Sequence, residues 1–260
     1  MIFDTHTHYD DKQFDADRHE LLMSMKENNV GTIINVGASL EGCRRSVEFS
    51  RQYPFMYAAV GVHPDEIGSL NEESFAWMKE TAQAEEKVVA IGEIGLDYHW
   101  DVEPREVQKK WFIRQMDLAR ELNLPIIVHS REAAQDTFDL ISEHGKGLSG
   151  VIHCYSYSPE MAKEYVKLGY HIGIGGVLTF KNAKKLKETA EVLPMEKIVL
   201  ETDCPYMAPT PYRGKRNNSI YIDYVAQELA TIKGLTKEEV IAQTEENAMR
   251  LFLKEETVDE

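Results

Sequence analysis

The chain has 260 residues, 43% of them hydrophobic and 28% charged, with a formal charge of −15. That balance suits a soluble globular protein with a sizeable core, and the negative excess argues against a broad basic face that grips a polyanion. No apolar run approaches ~20 residues, no basic-then-apolar leader stands at the N-terminus, and Cys43, Cys154 and Cys204 are too scattered for a disulfide framework, so a cytoplasmic setting is expected.

Residues 1–3 read as a strand entering the fold. Side chains two apart on a strand share a face, so His6 and His8 aim at one spot while Thr7 turns away. Leu21, Leu22 and Met25 among charges predict an amphipathic helix over 14–26. The β-branched run 31–37 closes on Gly37 as a buried strand, with a helix over 40–52 behind it. The alternation continues with strands over 56–64, 88–93, 125–129, 150–153, 171–175 and 197–203. Helical patterns follow at 73–84, 105–122, 133–143, 159–168 and 183–192, and helices over 219–232 and 237–252 close the chain. Strands alternating with helices in this way, plus one extra C-terminal helix, are the signature of a (β/α)8 TIM barrel. No linker-like tract interrupts the pattern, so one domain over 1–260 is expected.

In such a barrel chemistry collects where strands end and βα loops begin. His6 and His8 end the first strand, Glu93 the fourth, His129 the fifth, His153 the sixth and Asp203 the eighth. A buried histidine is ordinarily a satisfied core residue, but a core reading has to explain every one of these polar strand ends together. A catalytic zinc takes about three protein ligands, so six such groups fit two divalent metal ions better, with Glu93 as the bridge. One ion would sit with His6, His8 and Asp203, and the other with His129 and His153. The ion is Mg, Mn or Zn; histidine favours the last two. A hydroxide activated between the ions would be the nucleophile, and counting two ions against two carboxylates and that hydroxide leaves roughly +1, a charge that attracts a phosphodiester. Asp203, ligand and carboxylate in one, is the candidate general base.

Four stretches resemble the TatD family of metal-dependent deoxyribonucleases, within the amidohydrolase superfamily. They are Ile-Phe-Asp-Thr-His-Thr-His-Tyr-Asp from Ile2, Gly-Glu-Ile-Gly-Leu-Asp-Tyr from Gly92, Pro-Ile-Ile-Val-His-Ser-Arg-Glu-Ala from Pro125, and Leu-Glu-Thr-Asp-Cys-Pro-Tyr from Leu200 with Arg-Gly-Lys-Arg-Asn from Arg213. The likeness runs to about residue 252; Gln135 stands where an acidic residue is expected. The resemblance implies a TIM barrel of the metallo-dependent hydrolase type, the six metal ligands named above, and cleavage of DNA as a 3′–5′ exonuclease acting on single strands or 3′ ends. Some relatives have been linked instead to aminoacyl-tRNA deacylation. An amide or ester hydrolase such as a D-aminoacyl-tRNA deacylase is therefore the alternative.

Further candidates surround this set. Asp4 and Glu201, two before His6 and Asp203, are expected inside the barrel, orienting imidazoles. His63, at the end of the third strand, is read as a phosphate or base contact. Arg131, Arg213, Arg216 and Asn217 are candidates for phosphate, and Asp97 and Tyr98, in the loop after strand four, for positioning substrate. Tyr155 and Tyr157 could stack on a base, and Trp100 alone of the tryptophans falls near the mouth.

Overall fold

The computed structural model describes residues 1–254; the end of the domain expected over 1–260, residues 255–260, lies outside the described residues. Strands β1 (Ile2–Thr7), β2 (Val30–Val36), β3 (Met56–Val60), β4 (Val88–Asp97), β5 (Ile126–Arg131), β6 (Gly150–Ile152), β7 (His171–Ile174) and β8 (Ile198–Leu200) pair in parallel, each with the next in sequence. The ring closes between first and last strands. There Thr7 bridges Cys204, His8 N donates to Cys204 O at 2.8 Å, and Asp203 N donates to His6 O at 2.9 Å. Helices α1 (Arg18–Met23), α2 (Leu40–Gln52), α3 (Glu72–Ala84), α4 (Arg105–Leu122), α5 (Ala134–His144), α6 (Pro159–Lys167), α7 (Lys184–Val192), α8 (Ile222–Lys233) and α9 (Lys237–Ala248) alternate with and follow the strands.

Local chemistry sets these boundaries. Ser39 caps α2 by accepting from Gly42 N, and Cys43, Ser46, Val47 and Ser50 then recur at helical spacing on its buried face. Thr236 and Glu239 form a reciprocal capping box that starts α9. The helix expected over 14–26 is instead two 3-10 turns, Lys12–Phe14 and Lys26–Asn28, flanking the short α1. Asp11 caps the first turn through Gln13 N, and such local side-chain bonds compete with continuous helix.

Strands buried on both faces make two cores. An outer layer between strands and helices includes Ile33, Ile91, Phe112, Ile172 and Leu229. An inner cluster contains Phe3, Val89, Ile127, Val151 and Val199, and is stoppered by Leu251 and Phe252 of the last helical turn, Met249–Leu253. This apolar plug fills the end where the strands begin, leaving the opposite end for polar groups.

Candidate metal centre and active-site cleft

The six expected ligands meet at the C-terminal ends of the strands. His6 Nε2 and His8 Nε2 are 3.1 Å apart. Glu93 Oε2 lies 3.5 and 3.6 Å from them, and Asp203 Oδ1 lies 3.8 and 3.5 Å away. Donors bound at about 2.1 Å to one tetrahedral ion stand roughly 3.4 Å apart, so these four are spaced like the edges of a coordination polyhedron. The other carboxylate oxygen, Glu93 Oε1, is 2.9 Å from His129 Nδ1 and 3.2 Å from His153 Nε2. Glu93 thus presents one oxygen to each of two donor groups.

Neighbours fix which nitrogen of His8 and of His129 is free. His8 Nδ1 faces Val36 O at 2.9 Å and donates to it, which leaves a lone pair on Nε2. His129 Nε2 bonds Asp97 Oδ2 at 3.0 Å, keeping Nδ1 for the cluster. Glu201 Oε1 lies 3.3 Å from His153 Nδ1 and accepts from Cys154 N at 2.5 Å. Glu201 fits inside the barrel because Gly173 has no Cβ, which would collide with Glu201 Oε2. Asp203 leaves β8 with a φ of +57°, a left-handed conformation that short polar side chains tolerate, and this swings its carboxylate onto His6 and His8. His6 Nδ1 is buried without a partner. Two ring nitrogens facing each other at 3.1 Å, one of them bearing a lone pair, are stable only around a proton or a cation, so the donor set fits a metal.

The charges agree. Burial disfavours ionised Glu93, yet the His153 and His6 charges and hydrogen bonds from His129 and His153 hold it well below the usual carboxylate range. Burial lowers every imidazole. In His8 the Asp203 bond and the Glu93 charge outweigh it and raise the group to about 9, and in His153 the Glu201 and Glu93 carboxylates push it well above its ordinary value. For His6, burial and neighbouring His153 win and the value falls. The carboxylates therefore draw positive charge inward, as protons or, in competition with them, as divalent cations.

Above the cluster opens a cleft of about 610 Å³ walled by His63, Asp97, Trp100, Arg131, Tyr206 and Met207 among others. His63 Nε2 is 4.0 Å from Glu93 Oε1, while its Nδ1 accepts from Asp65 N at 3.2 Å. Burial and the His129 charge lower its pKa to about 3, so at neutral pH it is an uncharged imidazole with Nε2–H towards the cleft. Arg131 lines the wall as expected.

Other expectations are corrected. Asp97 is on β4, not in a loop, because the strand runs on past Glu93; Glu93, Gly95 and Asp97 alternate onto one face, and that spacing was the signal for Asp97 as the partner of His129. Tyr98 turns away, its hydroxyl donating to Asp136 at 2.7 Å. Asp4 is not beneath the metals: the β1–β2 register breaks between Asp4 and Thr7, so counting back two from His6 does not keep the face. The Asp4 carboxylate accepts from Thr202 N and Oγ1 at 2.9 and 2.7 Å. Arg216 makes a two-pronged ion pair with Asp17 (2.7 and 2.6 Å), and Asn217 is fully buried, donating to Thr202 O and Tyr206 O. Both fasten the loop after β8 instead of facing the cleft. Arg213 stacks on Phe180, 4.4 Å from the ring centre, also off the cleft wall. Tyr155 is buried and donates to Ser158 O, the Tyr157 hydroxyl is bonded to Ser130 Oγ at 2.9 Å, and neither residue lines the cleft.

The model of the family described as TatD related DNase matches residues 3–253. An uncharacterized metal-dependent hydrolase of Bacillus subtilis, YabD, is 45% identical, with 97% of this chain and 99% of that protein aligned. A protein of Cronobacter sakazakii named 3′-5′ ssDNA/RNA exonuclease TatD is 33% identical over 97% of this chain and 98% of its own. Among solved structures, the TatD homologue YJJV of Escherichia coli superposes with a TM-score of 0.91 at 30% identity, covering 97% of this chain and 98% of that one. With strand order, donor set and whole-chain similarity in agreement, the chain belongs to the TatD family of metal-dependent hydrolases.

Proposed function

We propose that this protein hydrolyses phosphodiester bonds of DNA, removing nucleotides from the 3′ ends of single strands, with two divalent cations (Mg, Mn or Zn) at the histidine–carboxylate cluster. The observation that carries the reading is the division of Glu93, Oε2 towards His6, His8 and Asp203 and Oε1 towards His129 and His153. A carboxylate so shared is the arrangement that holds two cations a few ångströms apart. Cations held there by His6, His8, Glu93, His129, His153 and Asp203 would supply Lewis acidity towards a water and a phosphoryl oxygen. The protein's own groups supply the rest. Asp203 receives the proton of the attacking water, His63 Nε2–H and Arg131 contact the phosphate, and Asp97 and Glu201 keep His129 and His153 in the ring orientation the cluster needs. The Cronobacter relative's name supports this choice of substrate.

The test is turnover of a 5′-labelled single-stranded oligonucleotide with Mg²⁺, Mn²⁺ or Zn²⁺ and with a chelator, run beside a D-aminoacyl-tRNA. Stepwise loss of 3′ nucleotides that stops with chelator is expected. No cleavage with any ion, or deacylation far outpacing it, overturns the proposal.

A further inference from the structure

Trp100 is the tryptophan that the fold leaves uncovered. It is 62% exposed, whereas Trp111 is 8% exposed and packs near Phe75, and Trp77 lies beneath Arg44. Trp100 stands in the wall of the cleft, and its place there is fixed. Asp97 Oδ1 accepts from the backbone N–H groups of His99 and Trp100 at 2.8 and 2.9 Å, while Oδ2 bonds His129 Nε2 at 3.0 Å. A single carboxylate therefore ties the loop carrying the indole to an imidazole of the donor cluster.

The surroundings narrow what an exposed indole here can hold. The Arg131 guanidinium lies over one face of the Trp100 ring, 5.5 Å from its centre, and Arg131 is the only arginine or lysine on the cleft wall among the described residues. An aromatic face beside a guanidinium is how proteins hold a single-stranded nucleotide, with the base on the ring and the phosphate on the cation. Asp10, Asp11, Asp65 and Glu66 occupy other parts of the wall and repel a polyanion, so the attractive part of the wall is confined to Trp100 and Arg131.

We infer that Trp100 is a stacking platform for the nucleobase beside the scissile phosphate, with Arg131 holding that nucleotide's phosphate; this assignment rests on the phosphodiester reading above. A base lying on the indole explains why so large an apolar surface is left in water at the mouth. It also gives a cleft poor in cations a way to bind DNA that depends little on charge.

Two measurements test it. First, kcat and KM are determined on a single-stranded oligonucleotide and on its counterpart with an abasic 3′-terminal region, for wild type, Trp100→Ala and Trp100→Phe. Trp100→Ala is expected to raise KM about tenfold on the base-bearing strand with kcat within about twofold, Trp100→Phe to stay within about threefold, and the abasic strand to show no difference among the three. Second, indole emission is followed in chelator, where nothing is cleaved. Quenching by the oligonucleotide and by a deoxynucleoside monophosphate is expected in wild type and lost in Trp100→Phe, and the abasic strand should not quench. An unchanged KM for Trp100→Ala, an equal rise on the abasic strand, or emission indifferent to the base overturns the platform. If wild type cleaves no oligonucleotide, the phosphodiester reading falls, and quenching alone decides whether Trp100 stacks on a base.

Discussion

The two ends of the barrel solve one problem, the placing of charge within a protein, in opposite ways. At the end where strands begin, Phe3, Val89 and Val199 are sealed by Leu251 and Phe252, and the nearby cation Lys87 finds its acceptors within the chain. Its ammonium is 2.7 Å from Ser50 O, 3.0 Å from Tyr53 O, 2.9 Å from Pro54 O and 3.0 Å from Met56 O, capping the C-terminal end of α2. At the mouth, carboxylates and ring nitrogens face one another, and Arg131, over Trp100, is the one arginine or lysine on the cleft wall among the described residues. At the closed end the chain's own carbonyls satisfy Lys87, whereas the donor cluster at the open end keeps buried His6 Nδ1 without a partner. Stability should therefore respond to changes at one end and activity to changes at the other.

The sharpest way to break that comparison is Glu93→Gln. Removing the charge shared by both donor groups should cut turnover on the order of 10³-fold or more, while the melting temperature measured in chelator stays within a few degrees of wild type. Activity within tenfold of wild type would show that the divided carboxylate is not the centre of the chemistry. Lys87→Met is the mirror experiment. It withdraws a charged donor from four carbonyls and should cost about 1–3 kcal/mol in denaturant unfolding, with kcat and KM unchanged below the transition. A drop in kcat without loss of stability would mean that the two ends are coupled.

The smallest effect concerns His171, near the closed end at the start of β7. Burial, then the Lys197 and Arg250 charges, lower its pKa to about 4, against about 6.5 in the unfolded chain. A depressed value means the unfolded chain takes up the proton first as pH falls. The neutral folded ring thus contributes stability fully above about pH 6.5, and this is lost progressively towards pH 4. Melting curves of wild type and His171→Gln across that window should converge as pH drops, a difference that isolates this ring from the histidines at the mouth. Parallel pH profiles would sink the assignment.

How much of this was written in the sequence depends on how local the signal is. The eight strands were legible because parallel strands buried on both faces are continuous apolar runs, and the ligand positions because each is a polar residue ending such a run. Asp4 was misplaced because an irregular register inside β1 is invisible to a period-two count. Arg216 and Asn217 were misread because a basic cluster beside a mouth looks alike whether it faces ligand or fastens its own loop; Asp17, the partner that decides the matter, is 199 residues away. Asp97 was assigned to a loop because two glycines interrupt the apolar pattern of β4, although alternation from Glu93 marks its face.

The seam between β1 and β8 carries a consequence for how the protein is made. His6 and His8 are translated nearly 200 residues before Asp203, yet all three share one donor group, held where β1 meets β8. A nascent chain that has not yet reached β8 has the early histidines but cannot close the ring around them. The donor group is thereby assembled only once translation has passed Asp203.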